Sequence, residues 1–329
     1  MPHNRPMERG WERAHPFVEL PAGELERLVG EALPGAVVVA ALPLTTGLRN
    51  TNYRLELAGG EIVLLRQYVA DPEACARESA VLAAVTGRVP VPRVLYSNAT
   101  AGPPFALLEW IEGRPLDEVL GEADSATARE LAAACGAALA RIHEIHFPAA
   151  GFLGPEMGVL RPMPDWAPTL LATLAGRVEV RLGPELSAGV RAKVESNSRL
   201  VEPVWSEAVL VHADYKPWNL LVRPEAEGSP PAGPQSAWRV TGILDWEFAC
   251  AGCKLIDFAT FLRDETELPA GFADAFAAAY VAAGGSLPTD WRRLTRLVDL
   301  LNLMQLLAWT DERAAGGLRR LVALTVSRD

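Results

Sequence analysis

Between residues 36 and 110 apolar and polar positions alternate in short runs, the pattern of strands with one buried face. "AVVVAALPL" (36–44), "TNYRLEL" (51–57) and "EIVLLRQY" (61–68) carry it, and "AGGE" joins the last two as a tight hairpin turn. "VPRVLYSN" (91–98) and "PFALLEW" (104–110) repeat it. Between these groups the period lengthens. "DPEACARESAVLAAVTG" (71–87) opens on Asp71 as an N-cap with proline at the first helical position, and places Ala, Val and Leu at helical spacing up to a closing glycine. The pattern predicts a five-stranded antiparallel sheet with one helix packed on it.

At "EWIEGRPL" (109–116) a polar, Gly- and Pro-containing segment separates the strands from a long Ala-rich helix, "SATARELAAACGAALARIHEI" (125–145). Helical spacing then dominates, interrupted by "VLVHADYKPWNLLV" (209–222) and "SAWRVTGILDWEF" (236–248). "RPEAEGSPPAGPQ" (223–235) between them reads as a solvated hairpin loop. The stretch from 291 to 326 predicts two amphipathic helices broken near Gly316–Gly317.

Composition narrows the function classes. The 329 residues are half hydrophobic and 22% charged, which suits a folded chain of about two domains. A formal net charge of −10 argues against a nucleic-acid or anionic-membrane surface. No apolar run approaches the ~20 residues of a membrane span, and "MPHNRPMERGWERAHPF" lacks the apolar centre of a secretory signal, so a cytoplasmic location is expected. Four cysteines are too few for a disulfide scaffold, and "CAGC" (250–253) reads as buried thiols. "HEIH" (143–146) has its histidines three apart, one short of a metalloprotease pair, and reads as a helix end.

The chemistry concentrates in "VLVHADYKPWNLLV", where Pro217 forbids ladder pairing between two apolar runs and His212, Asp214, Lys216 and Asn219 fill the gap. Asp245 of "ILDWE" ends the next apolar strand. An Asp, an Asn and a second Asp at adjacent strand mouths suit a hard cation such as Mg2+ and a proton taken from a hydroxyl. That is equipment for phosphoryl transfer, which needs positioning and charge neutralisation rather than a covalent intermediate. Lys216, two residues past Asp214, is placed to neutralise a transferring phosphoryl group. Glu247 is a candidate for a second metal or an ammonium-bearing substrate.

Asp214 precedes Asn219 by five, as in kinase catalytic loops. "HADYKPWNLLV", "ILDWEFA" and "LIDFA" together resemble the aminoglycoside phosphotransferase and choline kinase family of small-molecule kinases, over roughly residues 36–310. The resemblance implies an α+β, protein-kinase-like two-lobe fold: residues 1–110 as a nucleotide-binding lobe and 111–329 as a mainly helical catalytic and substrate-binding lobe. It makes Asp214 the catalytic base, with His212 bracing its loop, Asn219 and Asp245 the magnesium ligands, and Asp257 the tie that holds the loop. "TTGLRNTNYRLEL" (45–57), with Gly47, Asn50 and Thr51, resembles a phosphate-covering loop. Arg66 takes the place of the third-strand cation, paired with Glu78 of the following helix. "LLEWIEG" (107–113) would be the hinge that meets the base through the backbone of Glu109 and Ile111.

The implied cofactors are ATP or GTP and Mg2+, and the implied acceptor is a hydroxylated small molecule of aminoglycoside-like, amino-alcohol or sugar type, handled by a monomer or homodimer. Acidic balance and Glu247 lean toward an amine-bearing acceptor, although Cys253 stands where many members carry an Asp. Asn302, Gln305 and Trp309, at near-helical spacing, are expected on the pocket floor. The alternatives are a nucleotide-binding protein without catalysis and a metal-dependent hydrolase using His212, Asp214 and Asp245.

Overall fold

The computed structural model describes residues 15–45, 47, 49–100, 102–225, 237–310 and 312–328. Most of the expected 223–235 loop, from 226 onward, lies outside the described residues, as do Thr46 and Leu48 of the expected phosphate loop.

The chain opens with α1 (Ala22–Ala32), β1 (Val38–Leu44), β2 (Thr51–Leu57), β3 (Ile62–Gln67), α2 (Ala74–Val85), β4 (Val94–Asn98) and β5 (Phe105–Glu109). The five strands form one antiparallel sheet in the order β1-β2-β3-β5-β4. Strict alternation along β2 buries Tyr53, Leu55 and Leu57 on one face. There they meet Leu25, Leu28 and Val29 of α1, a helix the sequence reading did not anticipate although its apolar residues stand at i, i+3 and i+4. The other face, with Ala106 and Leu108, shares a core with Val81, Leu82 and Val85 of α2. Helix α2 begins at Ala74, three residues past Asp71, whose Oδ1 accepts the Glu73 N–H across the preceding turn.

The chain continues through β6 (Arg114–Pro115), α3 (Leu116–Leu120), α4 (Ser125–His143), β7 (Gly151–Leu153), β8 (Val159–Pro162), α5 (Trp166–Leu174), α6 (Arg177–Leu182) and α7 (Pro184–Trp205). It ends with β9 (Val209–Val211), a 3-10 turn at Pro217–Asn219, β10 (Leu220–Pro224), β11 (Trp238–Ile243), β12 (Cys250–Gly252), α8 (Leu255–Phe261), α9 (Phe272–Ala282), α10 (Trp291–Trp309) and α11 (Glu312–Ser327). Asp124 caps α4, accepting from the Thr127 N–H at 2.8 Å. On α4, Gly136 lets α9 approach so closely that a Cβ there would collide with the Phe276 carbonyl.

Two expectations change here. The second part of the chain holds small sheets, β11-β10-β6 and β8-β7-β12-β9, several of whose strands are only two to four residues long and too short for periodicity to reveal. The break between the last two helices falls between Trp309 and Glu312, not at Gly316–Gly317, which lie inside α11. Glycine costs a helix about 1 kcal/mol, and burial of Ala315, Leu318, Leu321 and Val322 outweighs it. Among the described residues no helix is long and apolar enough to cross a membrane.

Candidate functional site

The segment between β9 and β10 is held by one buried carboxylate. Asp257, fully buried on α8, accepts the His212 N–H at 2.9 Å through Oδ2 and the Ala213 N–H at 2.7 Å through Oδ1. Oδ2 also meets Nε2 of buried His143 at 3.1 Å, whose Nδ1 lies 2.9 Å from the Tyr280 hydroxyl. These bonds clamp Ala213 at φ 63°, a left-handed conformation that a Cβ disfavours. The His212 ring is spent on the loop itself, since Nδ1 accepts the Asp214 N–H at 3.2 Å and Nε2 therefore donates to the Leu244 carbonyl at 3.0 Å. Both ring nitrogens of His212 are therefore engaged by backbone groups.

Asp214 emerges from this clamp. Its Oδ1 lies 2.6 Å from the Lys216 ammonium, and its Oδ2 accepts from the Asn219 amide at 2.8 Å. The same amide nitrogen bonds the Asp214 carbonyl at 2.9 Å, which turns the Asn219 Oδ1 outward. Burial pushes the Asp214 carboxyl up, but Lys216 and the Asn219 hydrogen bond override it and hold the group below its ordinary value. Lys216 also rides 5.1 Å over the Trp218 ring.

Asp245 follows β11, at φ 68°. Leu244 donates its N–H to the Asn219 carbonyl at 2.8 Å and Trp246 donates its own to Glu78 at 2.9 Å, so both neighbours of Asp245 are pinned. Arg66 on β3 bridges the site: Nη1 to Glu78 at 2.6 Å, Nη2 to the Asp245 Oδ1 at 2.8 Å and Nε to Asn52 at 3.2 Å. The Tyr68 hydroxyl donates to the other Glu78 oxygen at 2.5 Å. Burial, the Glu78 charge and the Asp214 charge push the Asp245 carboxyl up against the pull of Arg66. The second Asp245 oxygen makes no hydrogen bond among the described residues, and the side chain is 29% exposed.

The donor set therefore fits a magnesium ion. Two outward hard oxygens, Asn219 Oδ1 and Asp245 Oδ2, sit among carboxylates whose mutual repulsion a cation would relieve, and Mg2+ commonly takes one or two protein ligands with the rest from phosphate and water.

Glu247 lies under the turn before β2. Only 3% exposed, it accepts from the Asn50 amide at 3.2 Å and faces the Arg49 Nε at 3.2 Å. Arg77 of α2 donates to its backbone carbonyl at 3.0 Å. Burial and the Asp245 charge, opposed by Arg66 and Arg49, push the Glu247 carboxyl up to about 7. The folded state thus keeps a proton that the unfolded chain, with an ordinary value of 4.5, releases. Stability is expected to fall as pH rises from about 4.5 to about 7. In Glu247→Gln that segment of a Tm-against-pH profile should flatten, and an unchanged slope would remove the assignment.

The structure thus brings together Asp214, His212, Lys216, Asn219, Asp245, Asp257, Arg66, Glu78, Glu247 and Asn50. Thr51 is buried, its hydroxyl accepting the Val18 N–H at 3.0 Å, and Gly47 lies in the turn beside Asn52. Glu109 ends β5 with its carboxylate on Arg93 at 3.0 Å, pointing outward. The Ile111 side chain packs over Gly242, where a Cβ would come within 3.1 Å of it.

Asn302, Gln305 and Trp309 occupy the outward side of α10, with Trp309 59% exposed, while Leu303, Met304 and Leu307 face the core. Their spacing marks one face of the helix but not which neighbour that face meets. His143, Tyr280, Arg49 and Tyr68 escaped the sequence reading, because their partners lie 10 to 198 positions away. Cys250 and Cys253 are buried and unpaired by disulfide; burial pushes the Cys250 thiol up to about 12 and Cys253 higher still, so neither is a redox thiolate.

A family model described as "Phosphotransferase enzyme family" matches residues 40–297. Among solved structures, aminoglycoside phosphotransferase APH(2")-IIia in complex with GDP and kanamycin is similar at 17% identity, covering 91% of this chain and 97% of that one, with a TM-score of 0.66. A thermostable mutant of aminoglycoside phosphotransferase APH(4)-Ia with ADP and hygromycin B is similar at 18% identity, 92% and 97% coverage and a TM-score of 0.62. Macrolide 2'-phosphotransferase MphH from Brachybacterium faecium is similar at 18% identity, 94% and 98% coverage and a TM-score of 0.60. No curated protein matches the chain in sequence.

Proposed function

The chain belongs to the phosphotransferase enzyme family, and from that premise we propose that it transfers the γ-phosphoryl group of ATP or GTP to a hydroxyl of a small molecule, with Mg2+ on the nucleotide. The observation that carries this reading is the convergence of Asp214, Asn219 and Asp245, drawn from separate segments, beside the cations Lys216 and Arg66. Nucleotide complexes of similar structures, with ADP and with GDP, support the donor, and their hygromycin B and kanamycin support a small hydroxylated acceptor.

In this reading Asp214 accepts the hydrogen bond of the incoming hydroxyl and takes its proton as the O–P bond forms. Its depressed pKa makes it a weak base that removes the proton late, so orientation is its larger contribution. Lys216 faces the charge that builds on the transferred group. Asn219 and Asp245 hold the metal, which when bound neutralises phosphate oxygens. Arg66, fixed by Glu78, places a guanidinium beside the same oxygens. Residues 1–110 supply the nucleotide side, with Gly47, Asn50 and Thr51 in the covering turn and the 109–111 backbone at the base, where Ile111 over Gly242 forms an apolar floor. Residues 111–329 supply the acceptor side.

A coupled ADP-release screen over amines, sugars, amino alcohols and hydroxy acids should show acceptor-dependent turnover that disappears when magnesium is withheld. Phosphoester hydrolysis without nucleotide would overturn the proposal.

A further inference from the structure

A crevice of ≈ 40 Å³ opens between the end of α8, the start of α10 and the end of α11. A volume of that size holds a few waters or one small ionic group, not a sugar ring. Helix α8, whose C-terminal end forms one wall, is tied to the catalytic segment, where the Thr260 hydroxyl donates to the Tyr215 carbonyl at 3.3 Å.

Its walls carry three carboxylates, and each has its own arginine. Asp299 takes a bidentate grip from Arg263 at 2.8 and 3.1 Å, Asp264 is bonded to Arg320, and Glu265 lies 3.2 Å from Arg292. Two further arginines, Arg296 and Arg328, line the crevice, and among the described residues neither guanidinium has an ion pair or a hydrogen bond. Burial and the Arg328 charge, with smaller contributions from Arg292 and Arg293, push the Arg296 guanidinium below its ordinary value despite Glu265. Beside Arg296, the Thr295 hydroxyl is buried, its residue only 6% exposed, with no hydrogen-bond partner. A helical threonine ordinarily bonds back to the carbonyl four residues earlier, so an unsatisfied hydroxyl next to two like charges is a place that lacks an acceptor.

We propose that this crevice binds an oxyanion, a carboxylate or phosphate group, borne by the phosphoryl acceptor, with Arg296 and Arg328 as its counter-charges and Thr295 as a donor. The inference rests on the phosphotransferase reading and sets the acceptor class within it: a hydroxylated acid rather than an amine. The net charge of −10 hid this, because the site is built from local arginines.

The test uses the full chain. In the ADP-release assay, acceptors are compared as matched sets bearing a carboxylate, a phosphate, a neutral amide or an amine at the same position, which separates the two oxyanion sources. An oxyanion-bearing acceptor should be preferred, and Arg296→Gln and Thr295→Val should raise its KM by about ten- to a hundredfold, leaving the nucleotide KM and the turnover of neutral acceptors unchanged. Arg296→Gln removes a repulsion and should fold at least as well as wild type. A second arm needs no turnover: with ADP and Mg2+ saturating, succinate or inorganic phosphate should raise the Tm of wild type and of Asp214→Asn but not of Arg296→Gln. A preference for amine-bearing over oxyanion-bearing acceptors, an oxyanion-acceptor KM unchanged in Arg296→Gln, or equal Tm shifts in wild type and Arg296→Gln, would overturn the inference. An Asp214→Asn enzyme with full transfer would instead sink the phosphotransferase reading.

Discussion

Asp214→Asn is expected to lower kcat by about 10²- to 10⁴-fold while leaving nucleotide affinity close to wild type. The substitution is nearly isosteric and keeps one acceptor toward the Asn219 amide, but an amide cannot take the hydroxyl's proton. It also strips Lys216 of a charged partner 2.6 Å away. Because the Asp214 carboxyl is held below its ordinary value in the folded state, its ionised form adds stability at neutral pH, lost as pH falls through that depressed value. The variant should therefore lose a little stability at neutral pH and none in acid, which denaturation at two pH values will show. Single-turnover transfer, read with labelled nucleotide, separates the chemical step from binding.

Asp257→Ala should damage both stability and rate without touching substrate. The side chain is fully buried and satisfies two backbone N–H groups and the His143 ring. Each buried donor left unpaired costs about 1–3 kcal/mol, so the loss is on the order of 4 kcal/mol, a large fraction of a typical domain's stability. Released from its clamp, Ala213 is expected to leave φ 63° for the ordinary right-handed or extended region, carrying Asp214 out of position. Urea denaturation should show a lowered midpoint, and protein still folded at low temperature should have kcat reduced with nucleotide affinity retained. Asp257→Asn, which keeps one acceptor, should fall between. Wild-type kcat in folded Asp257→Ala would show that the clamp does not set the geometry of Asp214.

The strands and longer helices were readable because their signals are local. Alternation in "TNYRLEL" and the Ala-rich helical run from Ser125 report on neighbours one turn or one pleat away. The tiny strands β6, β7 and β12 were not, since two or three residues carry no period and pair only because the folded chain delivers a partner. The Gly316–Gly317 pair misled for a related reason: intrinsic propensity marks a break, and tertiary burial of Leu318, Leu321 and Val322 overrides it.

For the site, residue type and order along the chain singled out Asp214, Asn219 and Asp245 as candidates, because phosphate chemistry demands hard oxygens whatever holds them, and the family resemblance added Arg66 and Glu78. Only the tertiary structure decided which groups the two His212 ring nitrogens meet, that His143 and Tyr280 stand behind Asp257, and that the outward face of α10 carries Trp309 while Thr295, Arg296 and Asp299 border a crevice. The division has a physical cause: which chemistry a chain can perform is set by its side chains, whereas which of them meet is set by packing between segments scores of residues apart.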